Sequence, residues 1–254
     1  YISNDCCCQT NTVYCNLFLM PLHHSGLFYY HSKLCYNEMD YFKGAVYMIH
    51  TFIFDVDGTI VDTEDSIFRG LDDILQEHVG RPATPEDMRT IFGIPGMEGL
   101  QSLGFTPEQA ADLHPKWSAQ SKTYADSVSI FAGMEDTLRY LKENNHLLGI
   151  VTSKTKESYE LNITPYGLDD YFDVIITSSD TEEHKPSGQP LTECLRRLGV
   201  SENEAIYIGD SIYDNQCARN AAVAFGLAEW GSHTAEGFDA DHIFKTPSDI
   251  LSIL

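Results

Sequence analysis

The chain has little positive charge. Its 254 residues include 16 lysine and arginine residues but 38 aspartate and glutamate residues, which gives a formal net charge of −22 at pH 7. Nucleic acids and anionic membrane surfaces are bound by concentrated positive patches, so this balance argues against both as partners. An anionic substrate is compatible with the sequence only where a metal ion and one or two lysines locally reverse the field.

Long apolar runs are also missing. No run approaches the ~20 residues of a membrane-spanning helix. The basic start and the small-residue cleavage site of a secretory signal are not found either. We therefore expect no association with a membrane.

Cysteines become scarce after the first 47 residues. Five of the seven lie in that segment, and three of them are the adjacent residues 6–8, which cannot readily converge on one tetrahedral metal ion. Met48 then opens the stretch MIHTFIFDVDG, which reads as an ordinary protein start. We expect residues 1–47 to be an accessory or non-native leader without an assigned function. Only Cys194 and Cys217 follow Met48, a usage that suits a reducing cytoplasm.

After Met48, short apolar runs alternate with helical patterns such as Glu135–Asn144 and Pro190–Leu198. The apolar runs are nearly continuous, as is typical of parallel strands that are covered on both faces. The pattern predicts an α/β fold with a doubly wound, Rossmann-like parallel sheet. The predicted strands are Thr51–Phe54, Leu147–Val151, Val174–Thr177, Ala205–Ile208 and Val223–Gly226.

Residues 64–130, between the first two predicted strands, contain helical signals and no convincing strand. Thr63–Val79 has one apolar helical face and stops at Gly80. Thr84 and Thr106 each precede a proline, as a helix N-cap does, and Gln109 completes a capping box with Thr106. We predict an all-helical cap over residues 64–130, inserted into a catalytic core made of residues 48–63 and 131–254.

Polar residues follow the predicted strands where those strands end. In an open parallel sheet, ligands bind outside the carboxyl ends of the strands, at the point where the winding reverses. We therefore expect these side chains to converge on one site although they are far apart in the sequence. They are Asp55 and Asp57, Thr152 and Ser153, Lys185 in HKPSGQP, and Asp210 and Asp214 in IGDSIYDN.

Each of these residues has an ordinary structural explanation when it is taken alone. Aspartates before Gly58 occur in turns, Thr152 at a strand end is often a helix cap, and most lysines are solvated. A helix cap and a first-turn acid likewise explain Asp210 and Asp214. The combination, in this order and location, favours one shared site.

The ordered set resembles the haloacid dehalogenase (HAD) superfamily of phosphohydrolases. DVDGTIVDTE looks like the first motif of that superfamily, IVTS like the second, the KP of HKPSGQP like the third, and GDSIYD like the fourth. The helical insertion after the first motif is similar to the cap of the phosphoglycolate phosphatase and β-phosphoglucomutase branch. The sequence departs from that branch at Ala132 and Gly188, where proline is common, and at Ser153, where asparagine is common.

The resemblance implies phosphoryl transfer to a carboxylate. Asp55 is then the nucleophile that forms an aspartyl-phosphate, and Asp57 protonates the leaving alcohol and later deprotonates water. The Thr152 hydroxyl and the Ser153 backbone N–H bind phosphate oxygens, and Lys185 neutralises charge shared by Asp55 and the phosphoryl group.

The resemblance also implies Mg²⁺ as cofactor, because this hard cation takes oxygen ligands. Asp55 and Asp210 supply carboxylate oxygens, Asp57 supplies its backbone carbonyl, and Asp214 acts through a metal-bound water or from behind the ligands. Gly58 allows a sharp turn after Asp57, next to the phosphate. Thr59 is expected to orient the Asp57 carboxyl.

The inserted helices are expected to form a lid that closes over the site and recognises the leaving group of the substrate. Residues 92–99, FGIPGMEG, are the candidate loop for recognition of the substrate. His114, Trp117 and Tyr124 are expected to pack or to lie at the surface rather than to bind substrate.

The leading hypothesis is a phosphatase, monomeric or weakly dimeric, that acts on a small phosphorylated metabolite. A sugar phosphomutase remains open as the alternative; it would need an activating bisphosphate and would release little phosphate. A dehalogenase is disfavoured because that chemistry does not use Asp57 as an acid. A non-enzymatic phospho-receiver or binding module is more remote, because a receiver has a contiguous acidic pair and no lid. The sequence does not identify the phosphoester.

Overall fold

The computed structural model describes residues 49–91, 94, 96–232 and 234–254. The expected leader, residues 1–47, lies outside these described residues. The described residues include all four motifs.

The core is a six-stranded sheet in the order β5-β4-β1-β6-β7-β8, and every neighbouring pair is parallel. Its winding reverses at β1, which lies between β4 and β6 although it comes first in the chain. The predicted doubly wound parallel sheet is confirmed. The strands are β1 (Thr51–Phe54), β4 (Leu147–Val151), β5 (Val174–Ile176), β6 (Ala205–Gly209), β7 (Ala224–Ala228) and β8 (His242–Phe244).

Helices cover both faces of the sheet, which explains why the strands read as continuous apolar runs. One face packs against α5 (Met134–Glu143) and α6 (Lys156–Asn162), and the other against α7 (Gln189–Leu198) and α8 (Ile212–Asn220). A short helix, α9 (Glu229–Ser232), follows β7. The two predicted helices of the core are each confirmed within one residue at their ends.

The segment between β1 and β4 forms helices with an apolar core of their own. The side chains of Leu71, Leu75, Leu100 and Trp117 are among those buried in it. The capping box of Thr106 and Gln109 is present, and Gly80 ends the first helix with φ at 76°. The helices are α1 (Glu64–Val79), α2 (Pro85–Ile91), α3 (Gly96–Ser102) and α4 (Pro107–Lys122).

A small antiparallel ribbon joins these helices to the core. It pairs β2 (Val61–Asp62) with β3 (Ser129–Ile130), so the last two residues of the predicted all-helical segment are extended. The chain enters the helical insertion through β2 and leaves it through β3, so the two connections to the sheet domain lie side by side. Within the described residues, no helix is both long and apolar enough to cross a membrane.

Candidate active site

Asp55 lies at the carboxyl end of β1, where the winding of the sheet reverses. Its backbone N–H donates to the carbonyl of Ile208 at 2.9 Å, so the pairing with β6 continues one residue beyond the strand. Asp55 is 7% exposed and Asp210, at the end of β6, is 5% exposed. The sheet therefore brings together two carboxylates that are 155 positions apart in the sequence, in a nearly buried site.

Lys185 pairs with two carboxylates, that of Asp55 after β1 and that of Asp214 in α8. Its Nζ donates to Asp55 Oδ1 at 2.9 Å and to Asp214 Oδ1 at 2.6 Å, and it lies 3.2 Å from the hydroxyl of Tyr207. The Tyr207 hydroxyl is also 2.8 Å from Asp214 Oδ1 and 3.0 Å from the Val151 carbonyl. This network fixes the ammonium group beside Asp55.

Both oxygens of the Asp214 carboxylate are fully hydrogen-bonded to neighbouring residues. Its Oδ1 accepts from Lys185 and Tyr207, and its Oδ2 accepts from the Ser211 backbone N–H at 3.0 Å and from the Ser211 hydroxyl at 2.5 Å. A carboxylate so engaged orients Lys185 rather than offering a free lone pair. The arrangement fits the expectation that Asp214 acts from behind the metal ligands.

Asp57 lies beside Lys154, a residue that the sequence reasoning missed. The Lys154 Nζ is 2.9 Å from Asp57 Oδ2. Thr152, which is 4% exposed, accepts from the Lys154 backbone N–H at 3.2 Å through its hydroxyl. Thr152, Ser153 and Lys154 thus form one turn after β4 that faces the aspartate pair.

Thr59 contacts Asp210, and the expectation that it orients Asp57 is wrong. Its hydroxyl donates to Asp210 Oδ1 at 2.9 Å. The cause is the turn at Gly58, whose φ of 74° redirects the chain before Thr59. A Cβ atom on Gly58 would overlap the Asp210 carboxylate, and one on Gly231 would overlap the Gly58 carbonyl. These two glycines allow the backbone to approach the acids closely.

Burial and mutual repulsion make the acids hard to ionise together. Burial, the nearby charge of Asp214 and that of Asp57 raise the pKa of Asp55 to about 7, although Lys185 opposes the shift. Burial and the charges of Asp214 and Asp55 raise the pKa of Asp210 well above its usual range. Burial opposes the charge on Lys185, but Asp214 and Asp55 outweigh it and raise the pKa of this ammonium group.

The donor set fits a hard divalent cation. One carboxylate oxygen from each of Asp55, Asp210 and Asp214 lies within 4.8 Å of the other two. Because Asp214 is fully hydrogen-bonded, Asp55 and Asp210 are the two that could coordinate the ion directly. Among the described residues, Lys154 and Lys185 are the cations that pair with these acids, so four ionised carboxylates, with Asp57 included, would carry two more charges than the lysines balance. A Mg²⁺ ion bound by Asp55 and Asp210 would balance this excess. The side chain of Asp57 is not part of the trio.

A cavity of about 820 Å³ opens over these acids and extends to the inserted helices. All of the predicted site residues line it except Asp214, which lies behind Lys185. In the candidate substrate-recognition loop, residues 92–99, Ile94, Gly96 and Met97 line the cavity. Phe92, Gly93 and Pro95 of this loop lie outside the described residues.

His114 and Trp117 also line the cavity, and Trp117 is at the same time a buried core residue whose Nε1 donates to the Ile67 carbonyl at 3.0 Å. Tyr124 packs away from it and donates to Asp73 at 2.5 Å. Trp117 and Tyr124 pack as expected, whereas the expectation that Trp117 and His114 do not contact substrate stays a prediction, because both line the cavity.

Three residues of this site were not found from the sequence. Lys154 looks like one more solvated lysine, and Gly231 stands in a segment without a motif. Tyr207 falls in the middle of an apolar strand, where an aromatic residue reads as core. A signal was present for Lys154, because it follows Thr152 and Ser153 directly after a predicted strand.

The sequence of this chain is similar to those of known hydrolases. The model of the haloacid dehalogenase-like hydrolase family matches residues 52–228. The pyrophosphatase PpaX of Halalkalibacterium halodurans is 28% identical over 210 residues, which cover 81% of this chain and 97% of that protein. A provisionally named pyrophosphatase PpaX of Caldanaerobacter subterraneus subsp. tengcongensis is 32% identical over 190 residues, covering 72% of this chain and 82% of that protein.

Solved structures agree with the fold. The crystal structure of a provisionally named phosphoglycolate phosphatase from Lactobacillus plantarum superposes with a TM-score of 0.76 at 27% identity. The match covers 82% of this chain and 100% of that one.

Proposed function

Because the chain belongs to the haloacid dehalogenase-like hydrolase family, we propose that it is a Mg²⁺-dependent phosphatase that hydrolyses a small phosphomonoester through an aspartyl-phosphate on Asp55. The family and the enzyme class expected from the sequence are confirmed by the match over residues 52–228. The observation that supports the finer proposal is the contact of Asp55 with Lys185, at 2.9 Å, at the carboxyl end of the central strand.

The first half of the reaction forms a bond between an Asp55 oxygen and phosphorus, while the bond from phosphorus to the alcohol oxygen breaks. Lys185 holds one Asp55 oxygen and places positive charge beside the incoming phosphoryl group. The alcohol oxygen leaves with a proton donated by Asp57, which lies next to Asp55 in the same cavity.

The second half returns the enzyme to its starting state. A water molecule gives a proton to Asp57 and attacks phosphorus, and the bond from phosphorus to Asp55 breaks to release inorganic phosphate. Lys154 holds Asp57 in this position. The Thr152 hydroxyl and the Ser153 backbone N–H bind phosphate oxygens at the end of β4.

Asp55 and Asp210 would hold Mg²⁺ with the Asp57 backbone carbonyl, while Asp214 orients Lys185. The bound cation supplies positive charge that offsets the repulsion between these acids and a dianionic phosphate. Gly58 leaves room for the Asp210 carboxylate in this arrangement.

The relatives support a small phosphorylated substrate. Those compared above carry the names pyrophosphatase and phosphoglycolate phosphatase, which are hydrolases of small phosphorylated compounds. The names of these relatives give the phosphomutase alternative no support.

Phosphate release from a panel of phosphoesters tests the proposal. We expect turnover with Mg²⁺, loss of turnover with a chelator, and a fall of at least about a thousandfold in Asp55→Asn, because the nucleophile is removed. Asp136→Asn is the control, since the Asp136 side chain is 78% exposed on α5 and does not line the cavity. Undiminished activity in Asp55→Asn would remove Asp55 as the nucleophile.

A further inference from the structure

The inserted helices line the cavity mainly with apolar side chains. These side chains come from α1, α2, α3 and α4, and they lie opposite the acids at the end of the sheet. The indole N–H of Trp117 is already donated to the Ile67 carbonyl, so this wall gains no donor from it. The apolar residues of the wall are Ile67, Met88, Ile91, Ile94, Met97 and Trp117.

The lysines deep in the cavity are engaged at the phosphate end. Lys154 pairs with Asp57 at 2.9 Å, and Lys185 pairs with Asp55 and Asp214. Both are thus placed where the phosphoryl group would bind. They contribute no free positive charge at the opposite wall.

The helical wall itself carries little positive charge. Among the described residues, Lys122 at the exposed end of α4 is the lysine that the inserted helices add to the cavity lining. His114 is half-buried there, and burial lowers the pKa of its imidazole, which favours the neutral ring. Asp62 and Glu64 add negative charge to the same lining. Residues 92–95 contain no ionisable side chain in the sequence FGIP.

The cavity is also larger than a phosphate group requires. Its volume of about 820 Å³ falls within the range that encloses a ligand of drug-like size. Among the described residues, Ser66, Ser118, Ser121 and the His114 ring are the neutral polar groups that the inserted helices add to this lining. The space beyond the phosphate therefore suits a neutral body with apolar surface.

We propose that the group released from phosphate by this protein is an uncharged, largely apolar alcohol of several carbon atoms, rather than a second phosphate or a carboxylate-bearing alcohol. This inference rests on the proposed phosphatase function. A charged leaving group would lose hydration against the apolar wall and would face the Asp62 carboxylate. In the described part of the inserted helices, Lys122 is the lysine of this lining that could offset such a charge. The names of the relatives indicate the opposite kind of leaving group, so the two expectations can be separated.

A matched pair of substrates tests the proposal without changing the reacting bond. We would compare kcat/KM for butyl phosphate with kcat/KM for 4-phosphooxybutanoate, which has the same phosphoester bond but ends in a carboxylate. We expect the uncharged ester to be preferred by about tenfold or more, because a carboxylate without a partner is costly to desolvate. Equal or greater kcat/KM for the carboxylate ester would overturn the proposal.

A charge added to the wall should reverse the preference. Ile67→Lys puts an ammonium group on the helical wall, and we expect it to raise kcat/KM for 4-phosphooxybutanoate relative to butyl phosphate by about tenfold. Met97→Lys is a second variant from another helix, in case the first does not fold. Ile243→Lys is the matched control, because Ile243 is 52% exposed on the edge strand β8 and does not line the cavity. An unchanged ratio in both folded wall variants would contradict the proposal.

The outcomes separate this inference from the function on which it rests. If phosphate is released faster from charged esters, the proposed phosphatase function stands and only the proposed leaving group is overturned. Absence of Mg²⁺-dependent phosphate release from every ester overturns both.

Discussion

At the residue scale, the two neighbouring aspartates differ in their partners. Asp55 contacts the buried Lys185, whereas Asp57 contacts Lys154, whose side chain is 19% exposed at the cavity wall. A separate ammonium group for each carboxylate reduces the repulsion that would otherwise arise between charges so close in the chain. Asp55 and Asp57, the proposed nucleophile and the proposed proton donor, can therefore have different environments although one residue separates them.

Lys154→Met tests the role of this second lysine. We expect kcat to fall on the order of tenfold, because Asp57 loses the group that holds it in place for proton transfer. Lys156→Met is the control, since Lys156 is two residues away, exposed, and 3.9 Å from Glu160 at the surface. Steady-state kinetics on one phosphoester gives the comparison, and equal kcat values for the two variants would contradict the role.

The sequence predicted the site residues that follow strands but not their contacts. Asp55, Thr152 and Asp210 were predictable because the carboxyl ends of parallel strands meet at one edge of the sheet. The partner of Thr59 was not, because it depends on the left-handed turn at Gly58. Tyr207 was missed for another reason: a buried aromatic residue in an apolar strand gives no sign that its hydroxyl is used.

At the element scale, a compact polar cluster fixes the start of α2. The Asp87 carboxylate accepts from Arg81 Nη1 at 2.7 Å and Nη2 at 2.9 Å. It also accepts from the Thr84 backbone N–H and hydroxyl, and the Asp87 N–H donates back to that hydroxyl at 3.1 Å. The hydrogen bond from Arg81 lowers the pKa of Asp87. The cluster holds α2 in the cavity wall.

Asp87→Asn should destabilise the protein by about 1–2 kcal/mol at neutral pH, because a charge-assisted cap is lost. The pKa is lower in the folded chain than in the unfolded chain, so this stabilisation is present above the unfolded pKa of ~4 and is lost as pH falls below it. Urea unfolding at several pH values measures the difference, which we expect to shrink in acid. Glu86→Gln, which removes an exposed pair with Arg89, should cost much less.

Elements with strong periodicity were predictable, and short ones were not. β1 and β4 were predicted with correct ends, and α1 and α4 were recognised from their caps. β8 was missed because it has three residues, one of them exposed, at the edge of the sheet. The β2–β3 ribbon was missed because each strand has two residues and forms only through the fold around it.

At the scale of the whole molecule, a hydrogen bond between α3 and α8 joins the helical insertion to the sheet domain over the cavity. The Tyr213 hydroxyl on α8 donates to the Glu98 carboxylate on α3. Both residues are far from β2 and β3 along the chain, where the insertion is attached. The pair is therefore placed to favour an arrangement in which the helices cover the acids.

Tyr213→Phe removes this hydrogen bond and keeps the ring. We expect KM to rise about two- to fivefold with little change in kcat, since a surface hydrogen bond contributes about 0.5–1 kcal/mol to closure. Tyr171→Phe is the matched control, because the Tyr171 hydroxyl contacts Glu135 at 3.4 Å within the sheet domain. A KM that stays at the wild-type value in Tyr213→Phe would show that this contact does not aid closure.

The large negative charge is compatible with an anionic substrate only because of where the cations lie. The net charge of −22 opposes the approach of a phosphate dianion, but Lys154 and Lys185 both stand beside the aspartates that would meet it. Mg²⁺ at Asp55 and Asp210 would complete the local reversal of the field. Removal of the metal should therefore weaken phosphate binding as well as turnover.

Acid quenching during turnover, followed by mass spectrometry of peptides, tests most directly whether phosphate is transferred to Asp55. The account predicts one added phosphoryl group on the peptide that contains Asp55, present with Mg²⁺ and substrate and absent with a chelator or in Asp55→Asn. A phosphoryl group on any other side chain, or phosphate release at the wild-type rate by Asp55→Asn, would contradict it.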